Sequence, residues 1–424
     1  MSVNSKSANS HGFASVADVG PKTRRRRPSQ PGVGGAGPSP GDLVALTVPP
    51  GPCWPELVGR IWDAGAALLP VDHRMTGPEI ADLLRRARPT LVVDGEGWHR
   101  QQGGVPVEPG VSLVIATSGT SATPRLVELP CSAVSAAVTA SLAVLAPEAG
   151  DRWLACLPPA HIGGLLVLAR ALLSGSEVVV HQRFDPTAVA GAADGHTHIS
   201  LVTTTLGRLL DAGADLAGFR SILVGGAGMP DALRERAAQA GGRCIATYGQ
   251  TQSCGGVVYD GIALPGVGMR ITGSGEIELA GPTLMRGYRG DAAASSAAFS
   301  DDGWLRTGDA GSIDRSGRLR VIGRLDDAII SGGEKIWPRE VEAVLRTHPL
   351  VAEVAVVGRA DPRWGARVVA VVVPADPARP PALGELRDLC ATRIARHKAP
   401  RELVLVARLP RTALGKVRRA ELST

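Results

Sequence analysis

The sequence lacks the features that mark several large protein classes. Its six cysteines are far apart and include no CxxC pair, which argues against a zinc ribbon, a redox motif or a disulfide framework and favours a reducing cytoplasm. No apolar run reaches the roughly 18 to 20 residues of a membrane-spanning helix, because the best stretch, 162–173, is interrupted by Arg170. Aromatic residues are scarce at 3%, but a hydrophobic fraction of 44% excludes disorder of the whole chain.

The positive charge of the chain is confined to its amino-terminal end. Residues 1–40 hold six Lys or Arg and one Asp, which leaves 40 basic and 39 acidic residues in the rest. The Arg run at 24–27 is followed by Pro, Gly and Ser rather than by an apolar segment, which argues against a secretory signal. We therefore predict a disordered, solvated tail over residues 1–40, with nucleic-acid binding through the Arg run as the less favoured alternative.

The pattern of apolar segments predicts an α/β protein. At 424 residues the chain is long enough for two or three folding units. Short apolar runs that alternate with helical stretches up to about residue 255 predict layers of helices on mixed, largely parallel sheets. A smaller unit follows the polar segment 324–327, with a helix that begins at Pro338. We divide the chain into the tail, a large domain of layered mixed sheets at 41–324 and a small α+β domain at 325–424.

The strongest local signal follows a predicted strand that ends at Ala116. The segment contains, in order, Thr117, Ser118, Gly119, Thr120, Ser121, Ala122, Thr123, Pro124 and Arg125. Hydroxyl and backbone N–H groups in such a turn can bind phosphate oxygens, and an Arg adds a bidentate cation. The segment is not a Walker A loop, and a Ser/Thr/Gly turn taken alone is more often a plain surface loop.

Four further segments carry residues suited to a nucleotide ligand. They are the Gly-rich turn 223–228, the segment 247–252 with Tyr248, the segment 304–309 with Asp309, and the basic stretch that contains Lys416. Glycines admit close backbone approach, a Tyr offers an aromatic face, and a carboxylate can accept from two ribose hydroxyls. Each segment also has an ordinary alternative, which is a tight turn, a packed tyrosine, a turn-stabilising Asp or a solvated basic face.

The order of these segments resembles the superfamily of acyl-CoA synthetases, peptide-synthetase adenylation domains and luciferases. That superfamily has a TSGTTGxPK phosphate loop, a YGxTE segment, a TGD, a GRxDDxIxxGGxKIxPxEIE stretch and a near-terminal GK. This chain matches them at 117–125, 248–252, 307–309, 323–342 and 415–416, so the resemblance covers about residues 68–419. Segments 157–164 and 254–261 further resemble bacterial o-succinylbenzoate–CoA ligases of menaquinone synthesis.

The resemblance implies an AMP-forming acid–thiol ligase. Such an enzyme uses ATP and Mg²⁺ to make an acyl-AMP, and then passes the acyl group to coenzyme A while its small C-terminal domain rotates. ATP or AMP contacts are implied for Thr117, Ser118, Gly119, Thr120, Ser121, Thr123, Gly225, Gly226, Ala227, Tyr248, Gly249, Thr251, Asp309 and Arg324. Catalytic roles are implied for Lys416, Lys335 and Arg125, with Arg125 at the family's lysine position. His161, Thr204 and Gly249 would line the acyl pocket, and Asp326 would be the hinge.

Two residues depart from the family pattern. Gln252 stands where the family places a metal-directed Glu, so it keeps an oxygen ligand for Mg²⁺ but loses the charge. Ala122 replaces a loop glycine. The alternatives are therefore another aryl- or acyl-CoA ligase and, less favoured, a catalytically impaired binding homologue. The sequence leaves open whether the chain forms a homodimer.

Overall fold

The structure is a computed structural model that describes residues 37–117, 124–411 and 417–423. Strands in the first half of the chain are β1 Leu43–Leu46, β2 Ala67–Pro70, β3 Leu91–Val93, β4 Trp98–Arg100, β5 Val111–Ala116, β6 Leu126–Pro130, β7 Arg152–Ala155, β8 Glu177–Val180, β9 Thr197–Val202 and β10 Phe219–Gly225. Strands in the second half are β11 Cys244–Gln250, β12 Gly255–Tyr259, β13 Ile262–Ala263, β14 Gly268–Ile271, β15 Glu276–Ala280, β16 Gly287–Tyr288, β17 Leu305–Ile313, β18 Leu319–Arg324, β19 Ile329–Ser331, β20 Glu334–Ile336, β21 Val351–Asp361, β22 Gly365–Pro374 and β23 Glu402–Leu405.

The helices precede or follow these strands in an α/β rhythm. They are α1 Trp54–Asp63, α2 Gly77–Ala87, α3 Cys131–Leu145, α4 Ile162–Ser174, α5 Pro186–Ala190, α6 Thr203–Asp211, α7 Asp231–Gln239, α8 Ala292–Ala297, α9 Pro338–Leu345 and α10 Leu383–Arg393. Helix α2 begins with a capping box, in which the backbone N–H of Thr76 donates to Glu79 Oε2 at 2.7 Å. No helix in the described ranges is long and apolar enough to cross a membrane.

Four sheets organise the described residues, and they confirm the predicted α/β class. Two seven-stranded sheets have the orders β16-β6-β5-β2-β1-β3-β4 and β13-β12-β11-β10-β9-β7-β8. In the second sheet, β8, β7, β9, β10 and β11 run parallel, so their carboxyl ends meet at one edge. A four-stranded antiparallel sheet has the order β14-β15-β17-β18. The last sheet contains β20, β19, β22 and β21, with β23 paired to β22.

Helices α3 and α4 lie between the two large sheets. The largest apolar cluster includes Leu113 of β5, Val134 of α3, Leu166 of α4 and Trp153 of β7, each at most 4% exposed. Because α4 contacts apolar surface along most of its length, its sequence is apolar nearly all round, which explains the long hydrophobic run around Arg170. This packing fixes the start of α4 against the carboxyl edge of the second sheet.

The C-terminal residues have an apolar core of their own. It includes Ile336, Val341, Val356 and Val372, which come from β20, α9, β21 and β22. The helix predicted at Pro338 is present, and the long strands β21 and β22 follow it. The predicted disorder of the tail falls on residues 1–36, outside the described residues, but Ser39 already contacts the body because its N–H donates to Asp42 Oδ2 at 2.7 Å.

A buried polar network lies at the amino edge of the second sheet. His198 Nδ1 is 2.7 Å from Ser221 Oγ, and His198 Nε2 is 3.0 Å from Asp151 Oδ2. The imidazole stacks on Trp153 with 4.8 Å between ring centroids, and its side chain is fully buried. Burial lowers the pKa of His198, although the hydrogen bond and the charge of Asp151 oppose the shift. The network therefore favours a neutral imidazole in the folded protein.

Acidification should weaken the fold through His198. Below the ordinary histidine pKa of 6.5, the unfolded chain takes up a proton that the folded chain does not. The free energy of unfolding therefore decreases as the pH decreases. Other charged groups at Asp151 are Arg220 at 3.4 Å and His196 at 3.5 Å. We expect His198→Gln to lose less stability than the wild type between about pH 7 and pH 5 in urea unfolding. His196 is exposed, so His196→Gln serves as the control. Equal losses in the wild type and in His198→Gln would contradict the prediction.

Candidate functional site

The carboxyl edge of the second sheet brings several predicted site residues together. β10 pairs in parallel with β9 and β11, so the ends of the three strands lie side by side. Thr204 follows β9 in the first turn of α6, Gly225 ends β10, and Tyr248 and Gly249 lie near the end of β11. Ligands of open α/β sheets bind at such edges.

Glycines make this edge flat because no side chain would fit there. A Cβ on Gly249 would lie 1.9 Å from the carbonyl oxygen of Gly255 on the antiparallel strand β12, and one on Gly225 would lie 2.8 Å from Thr247 Oγ1. Gly226 has φ +79°, which favours glycine, and Ala227 next to it is exposed. The backbone of these turns is therefore open to close approach by a planar ligand.

Tyr248, Asp309 and Arg324 form a polar cluster beside the glycines. The Tyr248 hydroxyl donates to Asp309 Oδ2 at 3.0 Å. Arg324 Nη1 donates to the carbonyl oxygen of Thr307 at 2.8 Å and lies 3.4 Å from Asp309 Oδ1. Burial raises the pKa of Asp309, while Arg324 and the Tyr248 hydroxyl act in the opposite direction. Burial and the neighbouring Asp309 charge raise the pKa of Tyr248, which keeps the phenol protonated as a donor.

Backbone hydrogen bonding joins the two ends of segment 117–125, the predicted phosphate loop. The Thr117 N–H donates to the carbonyl oxygen of Arg125 at 2.8 Å, which continues the antiparallel pairing of β5 with β6. The Arg125 guanidinium lies 5.1 Å from the centroid of the Tyr288 ring. The loop residues Ser118, Gly119, Thr120, Ser121, Ala122 and Thr123 lie outside the described residues.

Thr251 and Gln252 lie in a 3₁₀ turn directly after β11. Gln252 Nε2 donates to the Tyr288 hydroxyl at 3.0 Å, and the Gln252 carbonyl oxygen accepts from the Met285 N–H at 2.8 Å. The described residues contain no cluster of three acidic, His or Cys side chains that could hold a metal ion. The Gln252 side chain has an amide oxygen, which is a neutral ligand type for Mg²⁺.

His161 stands at the start of α4 beside a charged pair. Arg74 donates to Asp72 through Nε at 2.8 Å and through Nη2 at 2.5 Å. His161 Nε2 lies 3.6 Å from Asp72 Oδ2 and 3.5 Å from Arg74 Nη2. Although burial acts to raise it, hydrogen bonds from Arg74 and His161 hold the pKa of Asp72 well below its usual range. Asp72 and Arg74 were not singled out from the sequence, because nothing local distinguishes this pair from a surface ion pair.

Arg170, which interrupts the apolar sequence of α4, is a buried cation. It is 4% exposed, and it contacts the hydroxyls of Ser141 at 2.8 Å and Tyr259 at 3.3 Å. Among the residues that the structure describes, no carboxylate lies within 4.0 Å of its guanidinium. A buried charge is normally paired, so a single Arg in an otherwise apolar helix was the signal that could have identified it.

The remaining predicted residues belong to the C-terminal part of the chain. Asp326 lies in the 3₁₀ turn Leu325–Asp327, and its Oδ2 is 3.9 Å from Arg324 Nη2. Lys335 in β20 is exposed, and its Nζ is 5.9 Å from the centroid of the Trp337 ring. In the described part of the chain, no hydrogen bond or ion pair joins Lys335 to Tyr248, Asp309 or Arg125, and Lys416 lies outside that part.

Comparison with known proteins gives matches over most of the chain. Residues 104–289 match the family described as AMP-binding enzyme, and residues 340–416 match the AMP-binding enzyme C-terminal domain. The chain is 40% identical to a probable 2-succinylbenzoate–CoA ligase of Mycobacterium tuberculosis, over 85% of this chain and 95% of that protein. It is 34% identical to the indoleacetate–CoA ligase of Aromatoleum aromaticum, over 87% and 86% of the two chains.

Solved structures give the same result. The o-succinylbenzoate CoA synthetase of Bacillus subtilis in complex with its acyl-adenylate intermediate has a TM-score of 0.81 and 29% identity, over 91% of this chain and 89% of that one. The same enzyme in complex with ATP and magnesium has a TM-score of 0.80 over 91% and 90%. These matches confirm the predicted resemblance and the predicted fold class.

The close approach of Gly249 to the Gly255 carbonyl oxygen allows a test of whether this sheet edge excludes side chains. Gly249→Ala would force a Cβ against a backbone oxygen, so we expect the variant to lose about 2 kcal/mol or more of stability and to bind AMP more weakly. Gly228→Ala is the matched control, because a Cβ at Gly228 meets nothing within 4 Å. Thermal unfolding and AMP titration measure both effects. A Gly249→Ala variant that behaves like Gly228→Ala would contradict the geometry.

Proposed function

The chain belongs to the AMP-binding enzyme family, and from this membership we propose that it is an ATP-dependent o-succinylbenzoate–CoA ligase of menaquinone biosynthesis. The reaction would form o-succinylbenzoyl-AMP and then o-succinylbenzoyl-CoA. The ligase class is supported by the matches over both parts of the chain together with the Tyr248, Asp309 and Arg324 cluster. A cytoplasmic setting is supported by the six cysteines, all of which are free.

The single observation that supports a dicarboxylic substrate is Arg170. A substrate with a second carboxylate would supply the anion that this buried guanidinium lacks. Arg170 lies nine residues after His161, which corresponds to about 13 Å along the axis of α4. Leu166 and Ile162 of the same helix lie 2.5 and 3.5 Å from the position of a Cβ on Gly255, so α4 packs against the segment that supports Gly249. We place the acyl group beside the face of α4 that carries Ile162, Leu166 and Arg170, with His161 at the start of the helix.

The first half-reaction needs positioning and charge rather than a protein nucleophile. An oxygen of the substrate carboxylate attacks the α-phosphorus of ATP, and the bond to pyrophosphate breaks. Asp309 would accept hydrogen bonds from the ribose hydroxyls, with Arg324 beside it, and the glycines and Tyr248 would face the adenine. Thr251 would contact the α-phosphate, and Arg125 with the loop residues Thr117 to Thr123 would bind the β- and γ-phosphates. Mg²⁺ would neutralise phosphate charge when bound, with Gln252 as a neutral ligand.

The second half-reaction needs a different surface against the same intermediate. The coenzyme A sulfur attacks the acyl carbon, the thiol loses its proton, and AMP leaves. We propose that the C-terminal domain, residues 325–424, rotates about Asp326, which removes Lys416 and brings the turn at Lys335 to the site. The 78% exposure of the Asp326 side chain and the separate C-terminal core support a hinge there. Arg419 lies three residues beyond Lys416 and pairs with Glu342 at 2.6 Å and Asp327 at 3.7 Å, which ties the end of the chain to the hinge turn.

A second candidate substrate is another aryl acid. The 34% identity to an indoleacetate–CoA ligase favours this class, since that relative acts on a monocarboxylic acid. The two candidates differ in whether Arg170 meets a carboxylate. A catalytically impaired binding homologue is disfavoured by the intact Tyr248, Asp309 and Arg324 cluster.

The substrate proposal is tested by ATP–pyrophosphate exchange with o-succinylbenzoate, with its analogue that lacks the ring carboxylate, and with indoleacetate. We expect o-succinylbenzoate to be preferred. Arg170→Met should raise the KM for o-succinylbenzoate by about 10-fold or more while changing that for the monocarboxylic analogue by less than about 3-fold, because only one substrate loses an ion pair. Arg208→Gln is the control, since the Arg208 guanidinium packs 5.0 Å from the ring of Phe184. Equal effects of Arg170→Met on both acids would reject the assignment.

Lys416 gives a test of the two-conformation mechanism. A lysine that stabilises charge in the adenylation transition state contributes on the order of 3 kcal/mol, so Lys416→Ala should slow acyl-AMP formation by about 100-fold or more. The same variant supplied with preformed acyl-AMP and coenzyme A should form the thioester at close to the wild-type rate. Single-turnover measurements of each half-reaction separate these outcomes. Loss of both steps in a folded variant, or survival of adenylation, would be inconsistent with the mechanism.

A further inference from the structure

Tyr288 connects two parts of the nucleotide site and has no role in the mechanism above. It lies in β16, which pairs with β6 directly after the phosphate segment, with Tyr288 opposite Val127. Its hydroxyl accepts from Gln252 Nε2 at 3.0 Å, and its ring faces the Arg125 guanidinium at 5.1 Å. The chain of contacts therefore runs from the turn after β11, through Tyr288, to the base of the phosphate loop.

The tyrosine is held firmly on its buried side. Tyr288 is 8% exposed, and its backbone N–H donates to Ser295 Oγ at 2.8 Å. Gln252 is fixed in turn, because its carbonyl oxygen accepts from the Met285 N–H at 2.8 Å. An anchored ring with a fixed hydroxyl presents its face in one direction, which makes it a suitable platform for a cation.

Arg125 can contact the Tyr288 ring and an anion at the same time. The Arg125 side chain is exposed, and among the described residues no carboxylate lies within 4.0 Å of its guanidinium. It lines an open cleft of about 470 Å³ together with Arg86, Arg289 and Asp291. Arg289 in this cleft already pairs with Glu128 at 3.0 Å and Arg86 with Asp82 at 2.9 Å, so Arg125 is the cation of this wall that remains available to a phosphate.

We propose that Tyr288 is a positioning residue that holds Arg125 toward the β- and γ-phosphates of ATP, and that Gln252 fixes the Tyr288 hydroxyl for this purpose. The proposal rests on the ATP-dependent function proposed above. A flexible Arg loses rotamer freedom when it binds phosphate, and stacking on a fixed ring reduces that loss before the ligand arrives. Gln252 suits this arrangement, because its amide donates to the hydroxyl and places no carboxylate near Arg125 to compete with phosphate.

The inference predicts a loss that depends on which phosphates the ligand carries. AMP has no β- or γ-phosphate. A change at Tyr288 that acts through Arg125 should therefore weaken the binding of ATP and leave the binding of AMP unchanged. We expect Tyr288→Leu to raise the Kd for ATP by about 3- to 10-fold and to change the Kd for AMP by less than about 2-fold. Tyr288→Phe keeps the ring but removes the hydroxyl that Gln252 holds, so its loss in ATP affinity should lie between those of the wild type and Tyr288→Leu, with AMP affinity unchanged. Isothermal titration of the full chain with each nucleotide, at fixed magnesium and without acid substrate, measures these constants.

A double-mutant cycle with Arg125 separates positioning from packing. Arg125→Ala should raise the Kd for ATP relative to that for AMP by about 10-fold or more. Adding Tyr288→Leu to Arg125→Ala should raise the Kd for ATP no further. If Tyr288→Leu does not fold, Tyr288→Met gives the same test with a side chain that fills more of the space. The inference would be overturned if Tyr288→Leu weakened the binding of ATP and AMP equally. It would also be overturned if the losses in ATP affinity multiplied in the double variant, or if Tyr288→Phe lost as much ATP affinity as Tyr288→Leu. If Arg125→Ala itself spares ATP, the proposed phosphate contact of Arg125 is wrong, and the inference about Tyr288 falls with it.

Discussion

The hydrogen bond from Tyr248 to Asp309, together with the pairing of Asp309 and Arg324, is the interaction on which the site depends. Tyr248 belongs to the second large sheet, while Asp309 and Arg324 face each other across β17 and β18 of the antiparallel sheet. The cluster therefore fixes one sheet relative to the other at the edge where the glycine turns lie. Arg324 is also the last residue before the 3₁₀ turn that contains Asp326, so the same contact sets where the proposed hinge begins. Burial makes this cluster sensitive, because a buried polar group that loses its partner is costly.

Cations placed at separate positions give the proposed reaction its electrostatics. Arg125 lies at the base of the phosphate loop, Arg170 lies inside α4 away from the nucleotide edge, and Lys335 belongs to the C-terminal sheet. Arg125 and Arg170 have aromatic or hydroxyl contacts and no acidic partner among the described residues. An unpaired cation is stabilised by an incoming anion, which is why we propose these two residues as the partners of a phosphate and a carboxylate group. In contrast, Arg74 already has an acidic partner, because it donates hydrogen bonds to Asp72.

Much of the fold and the candidate site could be predicted from the sequence. The strand ends before the phosphate segment and the glycine turn, the helix at Pro338 and the strands after it all have clear periodicity or turn residues, and the structure contains them. Asp309 and Arg324 were predicted from an ordered set of motifs, and the structure brings them within 3.4 Å. The contacts of Tyr288 could not be predicted, because a two-residue strand such as β16 has no periodicity of its own. Arg170 was visible only as a break in an apolar run.

The sequence by itself determined the kind of chemistry and the order of the parts that perform it. Hydroxyl-rich, glycine-rich and acidic turns placed after apolar strands match, in their order, the motifs of the AMP-binding enzyme family, and such motifs are local in the chain. The tertiary structure decided which residues meet across long distances. Asp309 meets a tyrosine 61 residues earlier, Arg170 meets Tyr259 89 residues away, and Arg125 meets Tyr288 through the pairing of β16 with β6. Such contacts depend on strand order and on the burial of α3 and α4 between two sheets, which no local pattern encodes.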